Sequence, residues 1–178
     1  KIVTTINLAK ELKANFPEKN FIPVYWMASE DHDFAEINHV KIHGKKISWE
    51  EPAQGATARL STKSIAETVK QYSNCLGFSD HAEKLSGLVE DAYLRHGNLA
   101  DATRYLVHGL FEKHGLVIID ADEPELKQQF STVIERDLIE NNSFKMISES
   151  SNMLEDIGFK TQVNAREINL FYLKDQLR

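Results

Sequence analysis

An open α/β fold, with parallel strands and helical insertions, is the class this sequence predicts. Two apolar runs carry the prediction, residues 21–28 (FIPVYWMA) and 116–119 (LVII). Both show little alternation, as strands covered on both faces do. Each ends in acids and leads into a helical pattern, which is the order of a parallel α/β unit.

The elements follow in order. Ile2, Ile6, Ala9 and Leu12 recur at helical spacing, and Phe16-Pro17 closes that helix. After the first apolar run, 31–38 reads as a short helix with acids in its first turn, where the helix dipole favours them. Val40, Ile42, Ile47 and Trp49 alternate with polar residues around His43-Gly44-Lys45-Lys46, a β-hairpin pattern. A loop with Pro52 and Gly55 leads to three helices. Ser64 with Glu67, and Asp80 with Glu83, have capping-box spacing for the first two, and Gly77 and Gly97 mark helix ends. The third spans about 99–113. After the second apolar run, Pro124 opens a helix running to about Asn141, and a further one ends at Gly158. Residues 168–173 fit strand or helix equally. The expected division is 1–60 (first part of the core, with the hairpin), 61–114 (helical connecting segment) and 115–178 (second part of the core, with helices).

Composition narrows the function. The chain has 178 residues, enough for a sizeable core. Its net charge of -6 argues against a nucleic-acid partner, which needs a positive stripe. No apolar run approaches the roughly 20 residues of a membrane span, and no signal-peptide pattern is present. The single cysteine, Cys75, excludes an internal disulfide framework and suits a reducing compartment. A cytoplasmic protein, with no nucleic-acid or membrane partner, is therefore expected.

In open α/β sheets ligands bind beyond the carboxyl ends of the strands. The acid-rich stretches SEDHD and DADE both fall there. The residues around them carry a resemblance. PVYWMASEDHDFAEINH (23–39), DATRYLVHGLFEKHGLVIIDADEPELK (101–127) and AREINLFYLKDQLR (165–178) resemble, in order, three blocks of the cysteine-adding enzymes of bacillithiol biosynthesis. The match spans essentially the whole chain, and its first block is quite specific. The resemblance implies a Rossmann-like core with inserted connecting segments, a coiled-coil region and a homodimer. It implies a cytoplasmic ligase joining cysteine to glucosaminyl malate. The family's glycine- and glutamine-bearing segment ahead of the first helix, and its large C-terminal part, are not in this sequence. The chain is thus expected to be a segment of a longer enzyme.

Candidate residues follow from position and resemblance. Asp31, His32 and Asp33 either cap a helix or form a substrate shelf that binds the ammonium of cysteine and moves its proton. A sharper alternative is a metal: His32, Glu36 and His39 stand at i, i+4 and i+7, one face of a helix, and are competent zinc ligands. The absence of a cysteine cluster weighs against it. Arg104 and Arg166 are candidate anion binders, since a guanidinium forks onto carboxylate or phosphate. Ion pairs with Asp101 and Glu167 are their structural alternatives. Asp120 can bond a ribose hydroxyl, and Asp122 reads as an N-cap. Cys75 reads as part of a helix end, with no partner to activate it. An amide needs an activated carboxyl, so ATP or ADP is the cofactor candidate, although no P-loop pattern occurs. The rival reading is a non-catalytic module whose helices between Ser64 and Lys113 dock a partner or a second subunit.

Overall fold

The computed structural model describes residues 1–168, 170 and 172. The chain forms two compact units, Lys1–Ala121 and one beginning at Asp122. Segments 1–60 and 61–114 both lie in the first.

The first unit opens with helix α1 (Ile2–Asn15), which buries Ile6 and ends where the Phe16 N–H bonds the Leu12 carbonyl. Pro17, with no N–H to give, follows. Strand β1 (Val24–Met27) comes next. Helix α2 is only Phe34–Ile37, shorter than the 31–38 expected. The Asp31 carboxylate accepts the N–H groups of His32 (2.7 Å) and Asp33 (3.1 Å). This local side-chain turn competes with helix and holds 31–33 outside it.

Strands β2 (His39–Ile42) and β3 (Lys45–Ser48) form the expected hairpin, with Ile42 opposite Lys45. Its two-residue turn places His43 at φ 48° and Gly44 at φ 79°, the double positive φ that matches strand twist in tight hairpins.

Helices α3 (Ala66–Cys75), α4 (Asp80–Arg95) and α5 (Leu99–Phe111) follow. Neither capping box forms as expected. Ser64 is taken by the Trp49 indole N–H (2.9 Å) and itself donates to Glu51, so α3 starts without a side-chain cap. For α4 the cap is Ser79, one residue earlier, whose Oγ accepts the Ala82 N–H at 3.1 Å. Asn98 caps α5 through the Asp101 N–H at 2.8 Å. A 3-10 turn (Glu112–His114) then ends at Gly115, φ 69°. Strand β4 (Val117–Asp120) closes the unit.

β1 and β4 pair in parallel, Val24 against Val117 through Met27 against Asp120. The two apolar runs are thus neighbours in one sheet, as expected. Among the described residues, coverage on both faces is not found. Tyr25 and Ile118 pack with Ile6 of α1 and Val107 and Phe111 of α5. On the opposite face Val24, Trp26 (61%) and Val117 are exposed. An apolar run without alternation does not reveal which face its helices cover. A second core, built on Phe34, Trp49, Ile65, Val69 and Val89, joins α2, the residue just after β3, α3 and α4.

In the second unit the single helix expected to reach Asn141 is split into α6 (Pro124–Gln129) and α7 (Ser131–Glu140). Ser131 Oγ donates to the Gln128 carbonyl at 2.6 Å, diverting that group at the break. Asn141, φ 51°, turns the chain into α8 (Asn142–Asp156), and Gly158 follows at φ 86°. The 168–173 stretch falls partly outside the described residues. No helix among the described residues is long and apolar enough to cross a membrane.

Candidate functional site

Parallel pairing with Met27 opposite Asp120 sets the carboxyl ends of β1 and β4 level. Strand periodicity puts Ile118 and Asp120 on one face. That face packs on α5, so Arg104 of α5 meets Asp120, Nη2 to Oδ2 at 3.5 Å. Ser29 completes the corner from the β1 side. It is 3% exposed, and its hydroxyl donates to Asp120 Oδ1. Both Asp120 oxygens are thereby engaged, one from each side. The Asp120 side chain is 12% exposed and that of Arg104 43%, so the acid is enclosed while the arginine side chain is partly exposed, with its Nε buried.

The loop after β1 is anchored by its backbone. The Asp31 N–H bonds the Ala28 carbonyl at 3.2 Å, and the Asp31 carbonyl accepts the Thr57 N–H at 2.7 Å. Thr57 belongs to a 3-10 turn, Thr57–Arg59, in which Thr57 and Ala58 are buried. Asp31, His32 and Asp33 stand together on this loop with exposed side chains. His32 Nδ1 lies 3.7 Å from Asp31 Oδ1. Asp33 occupies the N-cap position of α2 but makes no side-chain cap bond. The backbone N–H groups are served by Asp31 instead.

The i, i+4, i+7 metal alternative does not survive as drawn. Helix α2 spans only Phe34–Ile37, so His32 precedes it, His39 begins β2, and Glu36 alone of the three is helical. Among the described residues no group of three or more His, Cys, Asp or Glu is arranged to hold a metal. Arg104 pairs with Asp120 and not with Asp101, the structural alternative, which bonds the Asn98 amide at 2.7 Å. Asp122 does not cap α6. Glu123 holds that position, and Asp122 takes the Lys127 ammonium at 2.6 Å. Arg166 is exposed in the second unit. Cys75 is the last residue of α3, with Gly77 at φ 80° two residues on, a helix end as expected.

Ser29 is the residue the sequence reading missed. Its signal was periodicity: Tyr25, Met27 and Ser29 alternate, so extending the strand pattern puts Ser29 on the side facing α5.

Helix α2, the hairpin and α3–α5 line a half-open cavity of about 360 Å³, its walls including Phe34, Trp49, Val69, Tyr72, Tyr93 and Leu106. Burial pushes the Tyr93 hydroxyl above its ordinary pKa, and a hydrogen bond from Thr103 works in the opposite direction. Burial raises Tyr72 as well. The cavity is mainly apolar.

Residues 1–178 match the sequence model of the family described as "Bacillithiol biosynthesis BshC, N-terminal Rossmann-like domain". The chain is 53% identical over its whole length to a protein from Flavobacterium psychrophilum named "Putative cysteine ligase BshC". Proteins of the same name from Flavobacterium johnsoniae and Cytophaga hutchinsonii are 51% and 39% identical, again over the whole chain. The chain spans about a third of the length of these relatives, 33%, 33% and 32% respectively.

Proposed function

The chain belongs to the BshC family of bacillithiol biosynthesis, as its N-terminal Rossmann-like domain, and from that premise we propose that it supplies part of the site of a cysteine ligase. The reaction is addition of cysteine to glucosaminyl malate, forming an amide between the cysteine carboxyl and the sugar amine. The observation that carries this reading is the corner of Ser29, Asp120 and Arg104 at the level carboxyl ends of two parallel strands, where open α/β sheets bind ligands.

The roles follow from charge. Asp31 and Asp33 offer two exposed carboxylates to the cysteine ammonium. His32, next to Asp31, takes up the proton that the attacking amine releases. Arg104 receives a malate carboxylate, with Asp120 beneath it, and Arg166 is a second anion receptor. Forming an amide requires an activated acyl group, and ATP or ADP chemistry is the route proposed for it. The full-length protein is proposed to act in the cytoplasm as a homodimer.

The test uses the full-length protein with Asp33→Asn. Because Asp33 makes no cap bond, stability should hold. Loss of one charge-assisted contact to ammonium should lower cysteine-dependent product formation about 10- to 100-fold. Wild-type product formation by this variant would sink the assignment of Asp33. Calorimetric titration showing that neither cysteine nor glucosaminyl malate binds would favour a docking module instead.

A further inference from the structure

We infer that the outer face of the β1–β4 sheet is a docking surface for the part of the full-length protein outside residues 1–178, which covers it with a helix. The inference rests on the sheet and is independent of the ligase reading.

Successive side chains of a strand point to opposite faces. Along β1 and its flanks the outward positions are Ile22, Val24, Trp26 and Ala28, all apolar and all exposed. In β4 the same face takes Val117 and Ile119. The register sets Val24 beside Val117 and Trp26 beside Ile119, so the face presents two apolar cross-strand pairs. A strand with one face in water alternates apolar with polar residues. None of the six outward residues is polar, so the sequence encodes a buried face that the described residues leave open.

The size of the patch and the length of the relatives identify the occupant. Each strand has four residues, a length of roughly 13 Å, and the two lie about 5 Å apart, a plan area on the order of 100 Å². A stable interface between separate proteins takes roughly 800 Å² from each partner. A second copy docked here alone would fall well short of that, whereas a helix of the same chain docks without the entropic cost of association. Residues 1–178 span 33% of the first relatives, so two-thirds of such a protein is at hand to supply the helix. Topology agrees. The crossover from β1 to β4 returns through α5 on the inner face. Parallel crossovers are right-handed, so a helix on the outer face serves strands added in the opposite direction, on the β1 side. Among the described residues that edge of β1 has no strand neighbour.

The test uses the full-length protein and has two readouts, neither of which involves product formation. Hydroxyl-radical footprinting read by mass spectrometry compares Trp26 with the buried Trp49. Exposures of 61% and 5% would make Trp26 about twelvefold more reactive if the face were open. Loss of most of that difference is expected, and a difference that stays near twelvefold overturns the inference. The occupant is read by photo-cross-linking, with p-benzoylphenylalanine replacing Val24 and, separately, Val117, after isotope-labelled and unlabelled subunits have been refolded together. If either replacement lowers the thermal midpoint, Ile22, outside the strand, takes its place. Adducts to peptides outside residues 1–178, within one subunit, are expected. Adducts within residues 1–178, adducts joining labelled to unlabelled subunits, or no adduct from any position would overturn it.

Discussion

Replacing Phe34 by alanine tests what holds the acidic loop in place. Phe34 is 9% exposed and is the first residue of α2, immediately after Asp33. Its ring meets Trp49 edge to face, centroids 5.1 Å apart at 81°. Phe→Ala in a core costs about 3–5 kcal/mol. Phe34 already borders the cavity, so some contacts around the ring are missing before the change. The cost should therefore sit near the lower end, about 3 kcal/mol. Of this, about 0.5–1.5 kcal/mol belongs to the aromatic pair itself. A double-mutant cycle with Phe34→Leu and Trp49→Leu isolates that share, because loss of the Trp49–Ser64 hydrogen bond cancels in the cycle. Urea unfolding followed by far-UV circular dichroism supplies the free energies. A cost below about 1 kcal/mol for Phe34→Ala, with no coupling to Trp49, would refute the view that this contact anchors the loop.

Two further outcomes are expected. His43 adopts φ 48° ahead of Gly44, and asparagine tolerates that conformation better in a hairpin turn. His43→Asn should stabilise the protein by about 0.5 kcal/mol, read as a higher urea midpoint, and a lower midpoint contradicts it. Tyr93 is held neutral by burial, so the folded state keeps a proton that the unfolded chain releases near pH 10. Its contribution is complete below about pH 10 and is lost as pH rises through the higher folded value. Tyr93→Phe should flatten the alkaline fall in stability, measured by urea unfolding between about pH 9 and pH 11, and an unchanged slope counts against the burial argument.

The parallel pair and the hairpin were legible because each is written in local pattern: unalternating apolar runs before acids, and alternation around His43-Gly44. Helix starts were less legible. Ser64 has the right type and spacing for a cap, yet Trp49, fifteen residues earlier, claims its hydroxyl, and no local pattern encodes that competition. The same limit applies to the site. The acids at both strand ends were visible, but the choice of Asp120 over Asp101 as partner of Arg104 depends on which face of α5 packs on the sheet. Residues 31–33 were misread as helical because an aspartate that bonds its own loop looks, in sequence, like one that begins a helix.

The long sequence gap between Ser29 and Asp120 also governs the order of assembly. The hairpin and the neighbouring helices α3–α5 unite segments close along the chain, and such contacts form early. β1 and β4 must instead close a loop of roughly ninety residues, an entropic cost of about 4 kcal/mol on the logarithmic law. That cost falls when the intervening helices have already condensed and shortened the effective span. The sheet is therefore expected to form late in folding, with the Ser29–Asp120 bond, which links the two strand ends, among the last contacts made. A chain halted before that step would carry its helices and hairpin without the Ser29–Asp120 link between the two strand ends.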